Sequence, residues 1–219
     1  MFPVMRLELA ERLVCPVAHE RTPLIVVAQE TRARDLLRGV AGCMTCAREG
    51  TFREGSLEFT LLAPRRPAER AANTDATLDD EMFVRFVALL GLGESGLPVL
   101  LAQEFAAAAD ALVAQQDAIV AVLDAPGGSA AGVGIVRGAG DAVPFADGTF
   151  HAAALDGRMT DASRADAVRS VRVGGRVMAA ASVPLPLRVR ELARDARHWV
   201  GEVEAPPVVV PLRRRADGR

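Results

Sequence analysis

The chain has 219 residues, 28 acidic against 26 basic side chains, a formal net charge of −2 and half its residues hydrophobic. That is enough for one large domain, or a small one beside a medium one, with a real core. The charge balance gives no general attraction to nucleic acid or to an anionic membrane, and no run reaches the roughly 18 apolar residues of a membrane helix.

In chain order, the opening MFPVMRLELAERL carries Glu8 and Glu11 and lacks the apolar centre of a signal peptide, so the cytoplasm is the expected compartment. Residues 1–62 form a compact stretch with strand-like runs such as Leu24–Val27. The three cysteines are an odd number, and Cys43-x-x-Cys46 in a chain without a leader points to metal before disulfide. Residues 63–78, rich in Pro, Arg and Ala without apolar periodicity, predict a linker ahead of a second unit, 79–219. Asp79 and Asp80 are placed to cap a helix from Met82 to about Leu92, its apolar face being Phe83, Phe86, Val87 and Leu90.

Beyond it, apolar runs alternate with helical ones. Strands are expected at Val99–Ala102, Ala118–Leu123, Val133–Val136, Phe150–Leu155, Arg176–Ala181 and Val208–Leu212, and helices at Phe105–Gln116, Ala162–Val171 and Leu187–Trp199. This alternation predicts an α/β fold, a mainly parallel, doubly wound sheet with helices on both faces. The run Arg213–Arg215 reads as a solvated tail.

Gly91-Leu-Gly93-Glu-Ser-Gly96 matches G-x-G-x-x-G, but such a loop must follow a strand and open a helix, with an acid about 20 residues on. Asp124 lies 33 residues beyond Gly91, too far, yet at the right distance from the end of Val99–Ala102. The glycines are therefore expected to end the Met82–Leu92 helix, with glycine as its left-handed cap.

Cys15-Pro-Val-Ala-His19 and Gly42-Cys43-Met-Thr-Cys46 are two short knuckles that could place Cys15, His19, Cys43 and Cys46 tetrahedrally around Zn²⁺. "LVCPVAH…PL", "GCMTC" and "REGSLEF" resemble the small zinc-ribbon family that activates tRNA and release-factor methyltransferases, over about residues 7–60. The family's cysteine three residues after the first falls on Ala18, and the longer arm of His19 is the replacement. A structural zinc and a ribbon that has lost its metal both remain open.

The second unit resembles the class I S-adenosylmethionine-dependent methyltransferases over about residues 82–182. "LLGLGESGLPVLL" resembles their lead-in helix, turn and first strand, "GAGDAVPFADGTFHAAAL" the stretch into the fourth strand, and "AVRSVRVGGRVMAAA" the late helix, turn and fifth strand. The cofactor residues depart from the family. Its acid falls on Leu101 and its loop glycines on Gln103, Phe105 and Ala107, with Glu104 nearby as a substitute acid. A phenylalanine there is expected to fill the cofactor's volume. The ribose-gripping acid is kept as Asp124, the adenine position is Ala139 with Asp141 close by, and the acid after the family's Pro-Phe turn is His151.

His151 and the pair His198-Trp199 are expected to be structural, Ser163 and Ser182 have no hydrolase partners at any recognisable spacing, and Asp156 and Asp161 flank a solvated loop. The resemblance implies a methyltransferase-fold pseudoenzyme acting through protein contacts, its partner an active methyltransferase or a larger assembly, with neither membrane nor nucleic acid involved. The alternative is an active enzyme with a rebuilt loop, holding S-adenosylmethionine through Asp124 and Asp141. A zinc-ribbon RNA module is the third reading, disfavoured by the acidic balance.

Overall fold

The computed structural model describes residues 4–59, 80–125 and 132–206. The expected linker and the expected strand Val208–Leu212 lie outside them. Among the described residues twelve strands form one sheet: β1 (Met5–Arg6), β2 (Ile25–Arg32), β3 (Asp35–Gly42), β4 (Glu49–Arg53), β5 (Ser56–Phe59), β6 (Pro98–Leu101), β7 (Ile119–Leu123), β8 (Val133–Arg137), β9 (Phe150–Leu155), β10 (Val171–Ala180), β11 (Val189–Arg194) and β12 (His198–Val203). Four helices accompany them: α1 (Leu7–Ala10), α2 (Asp80–Leu90), α3 (Ala109–Gln116) and α4 (Asp161–Ser170), with a 3-10 segment, Gln103–Ala108, leading into α3.

The path across the sheet is β1-β3-β4-β5-β8-β7-β6-β9-β10-β12-β11, with β2 paired to β3. From β5 to β10 every neighbour is parallel, while β12 runs antiparallel to both β10 and β11. The central strands read as unbroken apolar runs because both faces are covered. Leu100, Ala121, Leu123, Ala153 and Leu155 face a core shared with Leu9, Leu13, Phe52, Phe145 and Val168. Their alternates Val99, Leu101, Val120, Val122 and Ala154 face a second core with Phe83, Phe86, Leu90 and Leu112. This two-residue alternation places α2 and α3 on one face of the sheet and α1 and α4 on the other.

The N-terminal strands join the same sheet, since β5 pairs in parallel with β8 over Ser56–Glu58. The backbone of residues 12–14 is also laced to 144–146: Val14 N–H donates to the Pro144 carbonyl at 3.1 Å and Ala146 N–H to that of Arg12 at 2.8 Å.

Gly91 caps α2 as the sequence suggested. It has φ +65°, and the Leu92 and Gly91 amides donate back to the carbonyls of Val87 (3.1 Å) and Ala88 (3.2 Å), the two bonds of a Schellman motif.

One expected element is of the wrong kind. Leu187–Trp199 is the β11–β12 hairpin, not a helix. Leu, Arg, Glu and Ala favour helix locally, but tertiary contacts override that weak bias. Trp199 is fully buried with its indole N–H donating to the Val183 carbonyl at 2.8 Å, and β10 pairs with β12 along Arg176–Ala180. Asp195 closes the turn by accepting from the Arg197 and His198 amides at 2.7 and 2.8 Å.

Candidate functional site

The loop between α1 and β2 and the turn between β3 and β4 bring the two knuckles together. One ligand atom from each of Cys15, His19, Cys43 and Cys46 lies within 4.8 Å of the others. Cys15 Sγ is 3.6 Å from Cys46 Sγ, and His19 Nε2 is 3.2 Å from Cys15 Sγ and 3.6 Å from Cys43 Sγ. A tetrahedron with Zn–S near 2.3 Å and Zn–N near 2.05 Å has edges of about 3.6–3.8 Å, so this donor set fits zinc. The Glu20 carbonyl, 2.5 Å from His19 Nδ1, can accept an N–H from that nitrogen and so leave Nε2 as the metal-facing atom. Burial pushes the Cys43 thiol up, but the Cys46 and Thr45 amides aimed at its sulfur outweigh that and bring it to about 6. Burial holds Cys15 well above the usual thiol range. Ala18 is thus replaced in the knuckle by His19, the residue after it.

The second site lies at the carboxyl ends of β6 to β9, where the sheet order reverses and open α/β folds hold ligands. A cleft of about 590 Å³ is lined there by Gln103, Asp124, Asp156 and Arg158 among others. Asp124 sits at φ +49° just after β7, its Oδ1 accepting from Gly138 N–H at 3.4 Å. Asp141 lies outside this lining and accepts the Thr160 hydroxyl at 3.0 Å, while forming part of a neighbouring groove of about 770 Å³ under the knuckle.

Phe105 corrects the steric expectation. Its ring is stacked on Phe86 of α2 at 5.7 Å and stands 6.4 Å from His198, packed with the α2 core instead of filling the cleft. The 3-10 turn rotates it to the opposite side from Gln103.

Asp156 corrects the expectation of a solvated loop after the fourth strand of the second unit. It is 3% exposed and does not sit on a solvated loop. Its carboxylate accepts the Glu104 N–H at 3.2 Å, the Arg158 N–H at 2.7 Å, and an ion pair from the Arg158 guanidinium at 2.6 Å. Burial raises its pKa, but the Arg158 side chain and the two amides outweigh that and hold it below the ordinary range. The available signal was Asp156-Gly-Arg158 directly after a buried strand, a tight turn that can fold an arginine back onto its own aspartate. Asp161, its expected companion, is exposed.

His151 and Ser163 are tied into the fold by hydrogen bonds. His151 Nε2 bonds the Gly91 carbonyl at 3.2 Å and Nδ1 faces the Arg172 guanidinium at 2.6 Å, so it pins the end of α2. Ser163 donates its amide to Thr160, the cap of α4, at 3.1 Å.

Strand order β8-β7-β6-β9-β10-β12-β11, parallel except for β12, is the Rossmann-like class I methyltransferase fold, here carrying a metal-competent Cys/His knuckle. No protein-family model matches the chain, and no curated protein matches it. Among solved structures it is similar to a candidate S-adenosyl-L-methionine-dependent methyltransferase from Methanococcus maripaludis, with 10% identity and a TM-score of 0.42 over 59% of this chain and 86% of that one. It is similar also to a candidate sarcosine dimethylglycine methyltransferase from Galdieria sulphuraria, with 14% identity and a TM-score of 0.39 over 46% of this chain and 45% of that one. The methyltransferase in a complex with the Haloferax volcanii Trm112 activator gives 16% identity and a TM-score of 0.34, over 48% and 58% of the two chains. The chain thus spans about half the length of the Galdieria protein. Among the described residues no helix is long and apolar enough to cross a membrane.

Proposed function

We propose that this is a methyltransferase-fold protein without methyl-transfer activity, which works through protein contacts and keeps a structural zinc in its N-terminal knuckle. The observation that carries it is the bond between Asp156 and the Glu104 amide. In this fold a donor's charged tail would lie between the ends of β6 and β9. Here that crevice is crossed by the chain's own carboxylate, neutralised by Arg158. A ligand would have to break a part-buried, charge-assisted contact before gaining its own. No glycine falls between Gly96 and Gly127, so the turn after β6 cannot present bare backbone instead. The partner, an active methyltransferase or a larger assembly, is part of the same proposal, and its compartment is the cytoplasm.

All four knuckle ligands are protein side chains, which suits a structural zinc rather than a catalytic one. Zinc, if bound, would supply cross-linking of the two knuckles. Elemental analysis of purified protein is expected to find one zinc per chain, and a metal-free preparation that cannot be loaded would contradict this.

A second reading is favoured by Phe105. Because its ring packs away from the cleft, an active methyltransferase with a rebuilt loop stands if Asp156 and Arg158 swing aside, with Asp124 on the donor's ribose and Asp141 toward its adenine. The two readings separate on turnover. Protein incubated with S-adenosylmethionine and a cell extract depleted of small molecules is expected to release no S-adenosylhomocysteine above the rate of an Asp124→Ala control, whereas release that depends on Asp124 establishes the second.

A further inference from the structure

The cleft and the groove under the knuckle share a wall, since Ala139, Gly140 and Ala142 line both. The opposite wall of the groove is the loop from Cys15 to Arg21, which holds two of the four metal-facing residues. A short polar chain joins the two walls. Arg21, two residues after His19, donates to Asp166 Oδ1 at 2.8 Å, and Asp166 Oδ2 accepts the Val143 N–H at 2.7 Å. Arg169 steadies the same carboxylate at 2.7 Å and reaches the Val143 carbonyl at 3.0 Å. Asp141 is tied to α4 by the Thr160 hydroxyl at 3.0 Å.

The loop has little of its own to hold it. Its backbone closes through Cys15 N–H to the Thr22 carbonyl at 2.9 Å, and of its side chains only Val17 and Cys15 join the core. Segments so thinly packed open at low cost unless a ligand fixes them. The 12–14 to 144–146 lacing holds the far end of the shared wall whatever the knuckle contains, so the part free to respond is 139–143.

We propose that the Arg21–Asp166–Val143 strut makes the wall of the cleft answer to the metal: a filled knuckle fixes the loop and Arg21 and so tightens residues 139–143, and an empty knuckle loosens them while Arg169 keeps its own hold on Asp166 and Val143. The inference rests on the zinc reading of the knuckle. It is a coupling through one contiguous network, carried by a named contact that can be cut without touching a ligand residue.

Hydrogen exchange read by mass spectrometry on the full chain tests it, before and after zinc is chelated. Chelation is expected to speed exchange of the 139–143 amides about fivefold while β6 and β7 stay protected. Arg21→Ala, an exposed substitution, is expected to show the faster exchange with zinc still bound, and chelation should then add little. Arg21→Lys should fall between the two. Zinc bound and removed with no change at 139–143, or an Arg21→Ala protein that responds to chelation as the unaltered one does, overturns the coupling alone. A protein that takes up no zinc overturns the zinc reading and the coupling with it.

Discussion

Asp156 is a buried carboxylate in the lining of the cleft. Its position after β9 points it at the switch point, and Arg158 and two amides consume its charge there. Asp156→Asn is expected to cost about 1–3 kcal/mol, because Arg158 and the Glu104 amide lose a charged acceptor. The pH dependence follows from the lowered pKa. A carboxyl held down in the folded state contributes stability that is full above its unfolded value and is lost as pH falls through its folded value. The gap between unaltered protein and Asp156→Asn in urea titrations should therefore be constant near neutrality and shrink below about pH 4. At the knuckle, Cys43→Ser removes the sulfur that two amides favour as thiolate, and is expected to abolish stoichiometric zinc in elemental analysis. The four knuckle residues that the structure brings together were named from the sequence, His19 among them. The Asp156–Arg158 pair was not, because its meaning depends on a turn that returns Arg158 toward the strand end.

At the scale of elements, local rules succeeded where local energies decide. Gly91 ends α2 because a left-handed residue closes the Schellman bonds, and an added Cβ would stand 3.1 Å from the Arg176 side chain that also caps this helix. Gly91→Ala is expected to lower stability by about 1 kcal/mol, read as a drop in thermal midpoint. The parallel strands were legible because burial on both faces leaves no alternative to continuous apolar runs. The β11–β12 hairpin was not, since β11 is an edge strand with one buried residue, Val189, and its Leu, Arg, Glu and Ala carry a helical bias. What decides is β10, which needs a neighbour, and Trp199, which needs a core. Trp199→Phe should cost about 1–3 kcal/mol through lost volume and an unsatisfied Val183 carbonyl. It would also remove the chain's only tryptophan emission, so its stability is best followed by circular dichroism.

For the whole molecule, the Cys/His knuckle and the cleft at the strand ends are built on one continuous sheet, β5 against β8 being the seam. The mainly parallel, methyltransferase-like sheet was readable from the sequence because family-like segments fall in family-like order. The seam was not readable, since nothing in the β5 sequence names β8 as its partner. Nor was the place of Phe105, which a 3-10 turn sends to the α2 face and so removes as the obstacle its position suggested. The proposed loss of donor binding then rests on the Asp156 bridge and on a turn without glycine. Isothermal titration of the purified protein with S-adenosylmethionine measures this directly. No saturable heat at micromolar donor is the expected result, and a micromolar dissociation constant would contradict the account.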